Sequence, residues 1–259
     1  VPDLDPAYHN LEEADLSQAS LDTSPLGRAD LTGASLGAGN FKQASLRGAL
    51  LMYADLKGAN FDGADLTEAS LRGTNLRGAR FAETVMRGVR ADSAILEGVE
   101  LTGLDLSGAS FASAQADNAQ FRGAKLGNAD FRETSLRGAN FHQADLSKAC
   151  LVRAQCEGAS LSHGDLTEAD LRETNLARAD LRHPILLHAK MASCIPAGAQ
   201  LAESDFRSPR LAKISFAGAG LAIMAGSQAN MEWIKNQMAF QTIGPDKLNQ
   251  LIHVLFFKN

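Results

Sequence analysis

Asp65, Asp105, Asp145, Asp165 and Asp205 are separated by multiples of twenty residues, and His163, His183 and Glu203 share that spacing. Stacked side by side, a file of carboxylates could imitate the phosphates of a DNA strand. Two imidazoles and a carboxylate in line could hold a transition metal, although no clear fourth ligand follows them. Covalent and acid–base catalysis has less to work with. The chain contains no GxxxxGK[ST] phosphate loop, no HExxH, no CxxC and no GxSxG. Cys150, Cys156 and Cys194 are odd in number and lack metal-ligand spacing, which suits a reducing compartment. No catalytic residue and no cofactor is therefore expected.

Composition narrows the classes further. The 259 residues are 45% hydrophobic and 21% charged, too apolar for a disordered chain. A net charge of −5 argues against a general nucleic-acid binder, and only 6% aromatic residues argues against stacking platforms for single strands. No run of eighteen apolar residues is present, so membrane insertion is not expected. The sequence opens at Val1 without a signal-like apolar core, which reads as a processed chain or a piece of a longer one.

What positions the spaced residues is a five-residue repeat. Every fifth residue from Leu11 to Leu221 gives 43 positions, of which 37 are Leu or Phe. The exceptions are Met86, Ala91, Ala116, Cys156, Met191 and Pro196. Two residues earlier runs a second series in which Ala fills 27 of 43 positions. The phase never slips. A period of five fits neither the 3.6-residue helix nor the two-residue strand. It predicts a solenoid coil made of five-residue sides, with the Leu/Phe and small residues inward and the other three outward. One large and one small side chain per side can fill a narrow axis at close-packed density. Glycine recurs two places after the Leu/Phe position, where a corner needs turn dihedrals.

The stretches Ala14-Asp15-Leu16, Ala29-Asp30-Leu31, Ala59-Asn60-Phe61, Ala139-Asn140-Phe141 and Ala169-Asp170-Leu171 resemble the A(D/N)LXX signature of pentapeptide repeat proteins. The resemblance implies an all-β solenoid: a right-handed quadrilateral parallel β-helix of about 10–11 coils with four repeats per coil, about 50 Å long at strand spacing. Residues 1–9 then form a lead-in and residues 10–223 the β-helix. Residues 224–259 form a short C-terminal α-helical cap or dimerisation segment. Its amphipathic stripe comprises Leu248, Leu251, Ile252, Leu255 and Phe256. Pro184, Pro196 and Pro209 fall on inward positions and predict distorted final coils.

Twenty residues per coil turn the sequence into columns. One inward column is Phe41, Phe61, Phe81, Leu101, Phe121 and Phe141, and a second places Phe111 above Phe131. The outward aspartate column is broken by Val85, Lys125 and Ile185. Relatives that protect DNA gyrase suggest a DNA mimic, but a mimic should show a field of one sign. Residues 1–221 carry 22 basic against 28 acidic side chains, and Asp or Asn is also simply the family's usual residue before the central Leu. Leu50, Met52 and Tyr53, and separately Ile185 and Leu187, are outward apolar groups and candidate partner sites.

Three functions follow as expectations. The first is a non-catalytic protein-interaction scaffold with a protein partner. The second is a DNA-mimicking modulator of DNA gyrase, with a homodimer formed through the C-terminal helices. The third is the β-helix module of a larger bacterial secreted effector such as a ubiquitin ligase. The corresponding locations are the bacterial cytoplasm or, for an effector, a host cell.

Overall fold

The computed structural model describes residues 10–200. In 33 places a residue just before an inward Leu/Phe position pairs in parallel with the residue twenty positions on, from Asn10 with Asp30 to Asp180 with Gln200. About nine and a half coils of a four-sided solenoid result, a rod of about 45 Å at the usual strand spacing. The assignment of 1–9, the remainder of 10–223 and the helical segment 224–259, including Leu248, Leu251, Ile252, Leu255 and Phe256, lies outside the described residues.

The backbone explains the period. In the repeat around Leu126, three N–H groups bond to neighbouring coils: Leu126 to the Asp145 carbonyl at 2.7 Å, Asn128 to Ser147 at 2.9 Å, and Asp130 to Ala109 at 2.9 Å. The Ala129 N–H closes the corner onto the Leu126 carbonyl at 3.0 Å. This corner is a four-residue turn whose third residue has positive φ, the mark of a type II turn. All 38 corners from residue 13 to residue 198 obey it, with φ between 53° and 71°. Only 14 of those residues are glycine. The rest, Thr23 and Tyr53 among them, are held in the left-handed region at a local cost of about 1–2 kcal/mol each, offset by the ladder on both sides.

The axis is filled as the two inward series require. Leu, Phe and Ala positions from Leu26 to Ala199 are buried, and so are the exceptions Met86, Ala91, Ala116, Cys156 and Met191. Phe41, Phe61 and Phe81 stack at 4.9 and 5.3 Å, and Phe121 stacks on Phe141 at 4.8 Å. Phe111 stacks on Phe131 at 5.1 Å, and the two files meet edge-on where Phe121 lies 5.7–5.8 Å from both. Buried threonines replace Ala where a hydroxyl can reach a carbonyl: Thr134 donates to Phe111 and Thr174 to Leu151, each at 2.7 Å.

The distortion expected from proline is corrected at Pro184. With no N–H it cannot close its corner, yet His183 keeps φ at 54° and the Asp165–Ile185 pairing is intact. The ladder bonds of that side come from other residues, so a single donor is lost rather than a coil. Pro196 likewise accepts the Ala199 N–H at 3.0 Å as a leucine would. Pro209 lies outside the described residues.

Candidate functional site

The ladder leaves one N–H per repeat without a backbone acceptor: that of the first corner residue, directly after the central Leu or Phe. The side chain two residues earlier supplies the acceptor. Every Asp and Asn at that place in residues 10–200 takes this N–H onto a side-chain oxygen, in an Asx turn. Where the place is filled by Arg80 or Ser135, an aspartate one coil below stands in: Asp62 caps Ala82 and Asp117 caps Arg137. The repeat's Asp/Asn preference thus has a local physical cause.

That cause bears on the aspartate column. Asp65, Asp105, Asp145 and Asp165 share one side of the rod, with Lys125 paired between Asp105 and Asp145. Asp65 takes the Thr67 N–H at 2.9 Å and its hydroxyl, and Arg47 approaches to 3.3 Å. Burial opposes its charged form, but those hydrogen bonds and the guanidinium outweigh it and hold the carboxyl below the usual range. At Asp105, burial is again outweighed, by the Ser107 bonds and by Arg87 and Lys125. Asp145 and Asp165 cap Ser147 and Thr167 at 2.9 Å. Asp205 lies outside the described residues.

The apolar candidates separate on folding. Leu50 and Met52 are half-buried, and Tyr53 is 61% exposed at the same corner. Its ring lies against the next coil, where a Cβ on Gly73 would come within 2.6 Å of it. Ile185 and Leu187 stand out at 50% and 42% exposure, two residues apart. Val85 and Ile195 are also exposed, and the sequence reading had not singled out Ile195 as an apolar surface residue. Its signal was available, since it occupies the outward place normally held by Asp, Asn or Ser.

The histidines do align. The His163 and His183 rings stack with centroids 4.6 Å apart and 11° between planes, and His142 meets His163 edge-on at 5.4 Å. They border a surface depression of about 500 Å³ that also takes in Arg122, Ser160 and Arg182. Glu203 lies outside the described residues, and within them no group of three or more His, Cys, Asp or Glu is arranged to hold a metal. Sequence reading paired His163 with His183 but missed His142, which stands at the neighbouring corner position and therefore outside their column. Cys156 and Cys194 are inside the rod, where burial pushes their thiols up to about 12. Among the described residues no helix is long and apolar enough to cross a membrane.

Comparison with known proteins adds two findings. The family of pentapeptide repeats matches in eight copies whose segments together run over residues 10–183. Residues 189–259 match a different family, aspartate amino-transferase. A 45-residue stretch is 47% identical to a protein of Mycolicibacterium smegmatis named as an aminotransferase, covering 17% of this chain and 10% of that protein. The chain thus spans about a tenth of that relative's length. Among solved structures, similarity is found to HetL, a pentapeptide repeat protein involved in heterocyst differentiation regulation from the cyanobacterium Nostoc sp. strain PCC 7120. The identity is 31%, over 74% of this chain and 89% of HetL, with a TM-score of 0.36. QnrB1, a plasmid-mediated fluoroquinolone resistance protein, is 19% identical over 83% of this chain and 97% of its own, with a TM-score of 0.29.

Proposed function

The chain belongs to the pentapeptide repeat family, and on that premise we propose that its rod is a non-catalytic scaffold that presents side chains to a protein partner. The observation that carries this reading is the pair Ile185 and Leu187, both about half exposed and only two residues apart. Apolar side chains cost solubility when left in water, and adjacent ones commonly mark a contact with another protein. Tyr53 is a second contact point, a rigid aromatic already packed on the corner of the next coil. The test is affinity capture from the source organism with wild-type rod, Tyr53→Glu, and Ile185→Lys with Leu187→Glu. A partner retained by wild type and lost by the paired variant supports the site. Equal retention by all three removes it.

DNA mimicry of a gyrase substrate has less support, because the aspartates of its column cap turns and pair with Arg47 and Arg87. A supercoiling assay with DNA gyrase at low and moderate salt separates the readings: the scaffold predicts no inhibition, and salt-sensitive inhibition would restore the mimic.

The match of residues 189–259 to the aminotransferase family favours one further reading, in which the rod accompanies an aminotransferase-like segment. This gives the idea of an appended unit a different chemistry from that of a ligase. Transamination with aspartate as amino donor tests it on the chain as it stands. The scaffold reading predicts no turnover.

A further inference from the structure

Arginines on this rod find carboxylates in three recurrent places, one of which is the same corner one coil up or down, as in Arg77–Glu97, Arg153–Glu173 and Arg137–Asp117. Arg132, Arg172 and Arg182 fold back onto the aspartate two residues earlier, at 2.5–2.7 Å. Arg47 and Arg87 reach the aspartate eighteen residues on, in the next coil. For Arg122 the last two hold amides, Gln120 and Asn140, which bond to each other at 3.1 Å, and the positions one coil down and up hold Thr102 and His142. Arg122 is exposed and has no ion pair among the described residues.

One, two and three coils further on stand His142, His163 and His183. His142 is held by its Nδ1, 2.9 Å from the Ser162 hydroxyl, which lies 3.1 Å from that of Ser160. Ser162 is only 4% exposed, although its repeat position normally faces water. That contact leaves Nε2 of His142 as the nitrogen not committed to Ser162. The carboxylate at this corner, Asp180, is already taken by Arg182 through two bonds of 2.7–2.8 Å. Across the next side, Asp145 and Asp165 are engaged in their own turns and Lys125 adds positive charge. Behind the preceding corner, Asp117 and Glu157 are paired with Arg137 and Arg178.

We propose that this corner binds a phosphate monoester, with Arg122 as the fixed charge and the His142, His163 and His183 rings lining the depression beside it. Imidazole is the side chain that gains its charge between about pH 8 and pH 5. Neutral rings stack comfortably at 4.6 Å, whereas two imidazolium rings at that distance repel each other. A dianion against them offsets that repulsion, so protonation and anion binding reinforce each other reciprocally. The depression of about 500 Å³ lies within the usual range for small organic ligands and exceeds what a bare ion needs. A metal fits less well, since stacked rings turn their faces rather than their nitrogens toward each other and Arg122 repels a cation. His183 lies two residues before Ile185, but the anion site and the protein contact are read by different probes, so either can fail without the other.

Calorimetric titration of the full chain tests it, with inorganic phosphate, phosphoserine and sulfate as probes near pH 6 and near pH 8. Sulfate keeps its charge across that range, so its pH dependence reports the protein alone. The expected result is saturable binding, with sulfate held about fivefold more tightly near pH 6. Arg122→Gln weakens binding about tenfold. His163→Asn with His183→Asn reduces the pH dependence to what His142 supplies, asparagine being a residue that tolerates the positive φ of both positions. Phosphoserine binding at least as tightly as inorganic phosphate supports the monoester, and a preference for the free ion overturns that assignment. No saturable binding near pH 6, or wild-type binding by both variants, overturns the site.

Discussion

The aspartate column and the histidine corner are built on the same twenty-residue register, yet their side chains are engaged differently. On the first, Asp65, Asp105, Asp145 and Asp165 each accept the corner N–H that the ladder cannot satisfy. At the second, Arg122 has no ion pair among the described residues, while His142 contacts the Ser162 hydroxyl and meets His163 edge-on. Alignment alone therefore says little about purpose in a solenoid. What distinguishes a column is whether its polar atoms are already used by the backbone beside them.

The largest expected effect lies beneath both regions. Phe121 touches Phe111, Phe131 and Phe141, so Phe121→Ala should cost about 3–5 kcal/mol in urea unfolding. A loss under about 1 kcal/mol would mean that the axis collapses around the gap and that the columns are not rigidly registered. Gly73→Ala comes next. It places a Cβ at positive φ and 2.6 Å from the Tyr53 ring, for an expected loss of about 1–2 kcal/mol. Tyr53→Ala should relieve the contact but leave the backbone cost.

Acid sharpens the contrast. Asp180 is held below the usual carboxylate range, chiefly by Arg182, while at Asp130 and Asp170 burial is outweighed by bonds from Arg132 and Arg172. Depressed carboxyls contribute stability that is present above their unfolded values and lost as pH falls through the lowered folded ones. The urea midpoint should therefore drop below about pH 4. Replacing Asp130, Asp170 and Asp180 together by Asn should flatten that decline. The smallest effect is expected at the histidine corner, where His163→Asn with His183→Asn should change stability by no more than about 0.5 kcal/mol while altering anion binding. Thiol labelling of the folded chain checks the same inside–outside logic. Half-buried Cys150 should react, and Cys156 and Cys194, pushed up to about 12, should not.

The inward half of the repeat was legible because burial selects residue type directly: Leu, Phe and Ala recur where the axis has one size of space. The phenylalanine files followed once the coil length was known. The outward half was harder, because an aspartate that caps a turn and one that faces a partner look the same in one sequence. The clue was the Asp or Asn lying two residues before a corner position, the Asx-turn spacing, and it was available at Asp15 and Asn60 alike. Proline misled for a similar reason. Pro184 predicts a distorted coil, but the corner donor it lacks is one of several holding that side. The histidine corner was half visible, since His142 joins His163 across two adjacent positions rather than along one column.

The central claim is that the aspartates serve the fold as acceptors rather than as a charged face. Two quadruple variants test it directly, with Asp65, Asp105, Asp145 and Asp165 all changed to Asn or all changed to Ala, compared by urea unfolding at neutral pH. Both remove the same charge, and only Asn keeps the acceptor. The account predicts that the Asn variant stays close to wild type while the Ala variant loses about 1 kcal/mol per site. Equal stability of the two variants would contradict it.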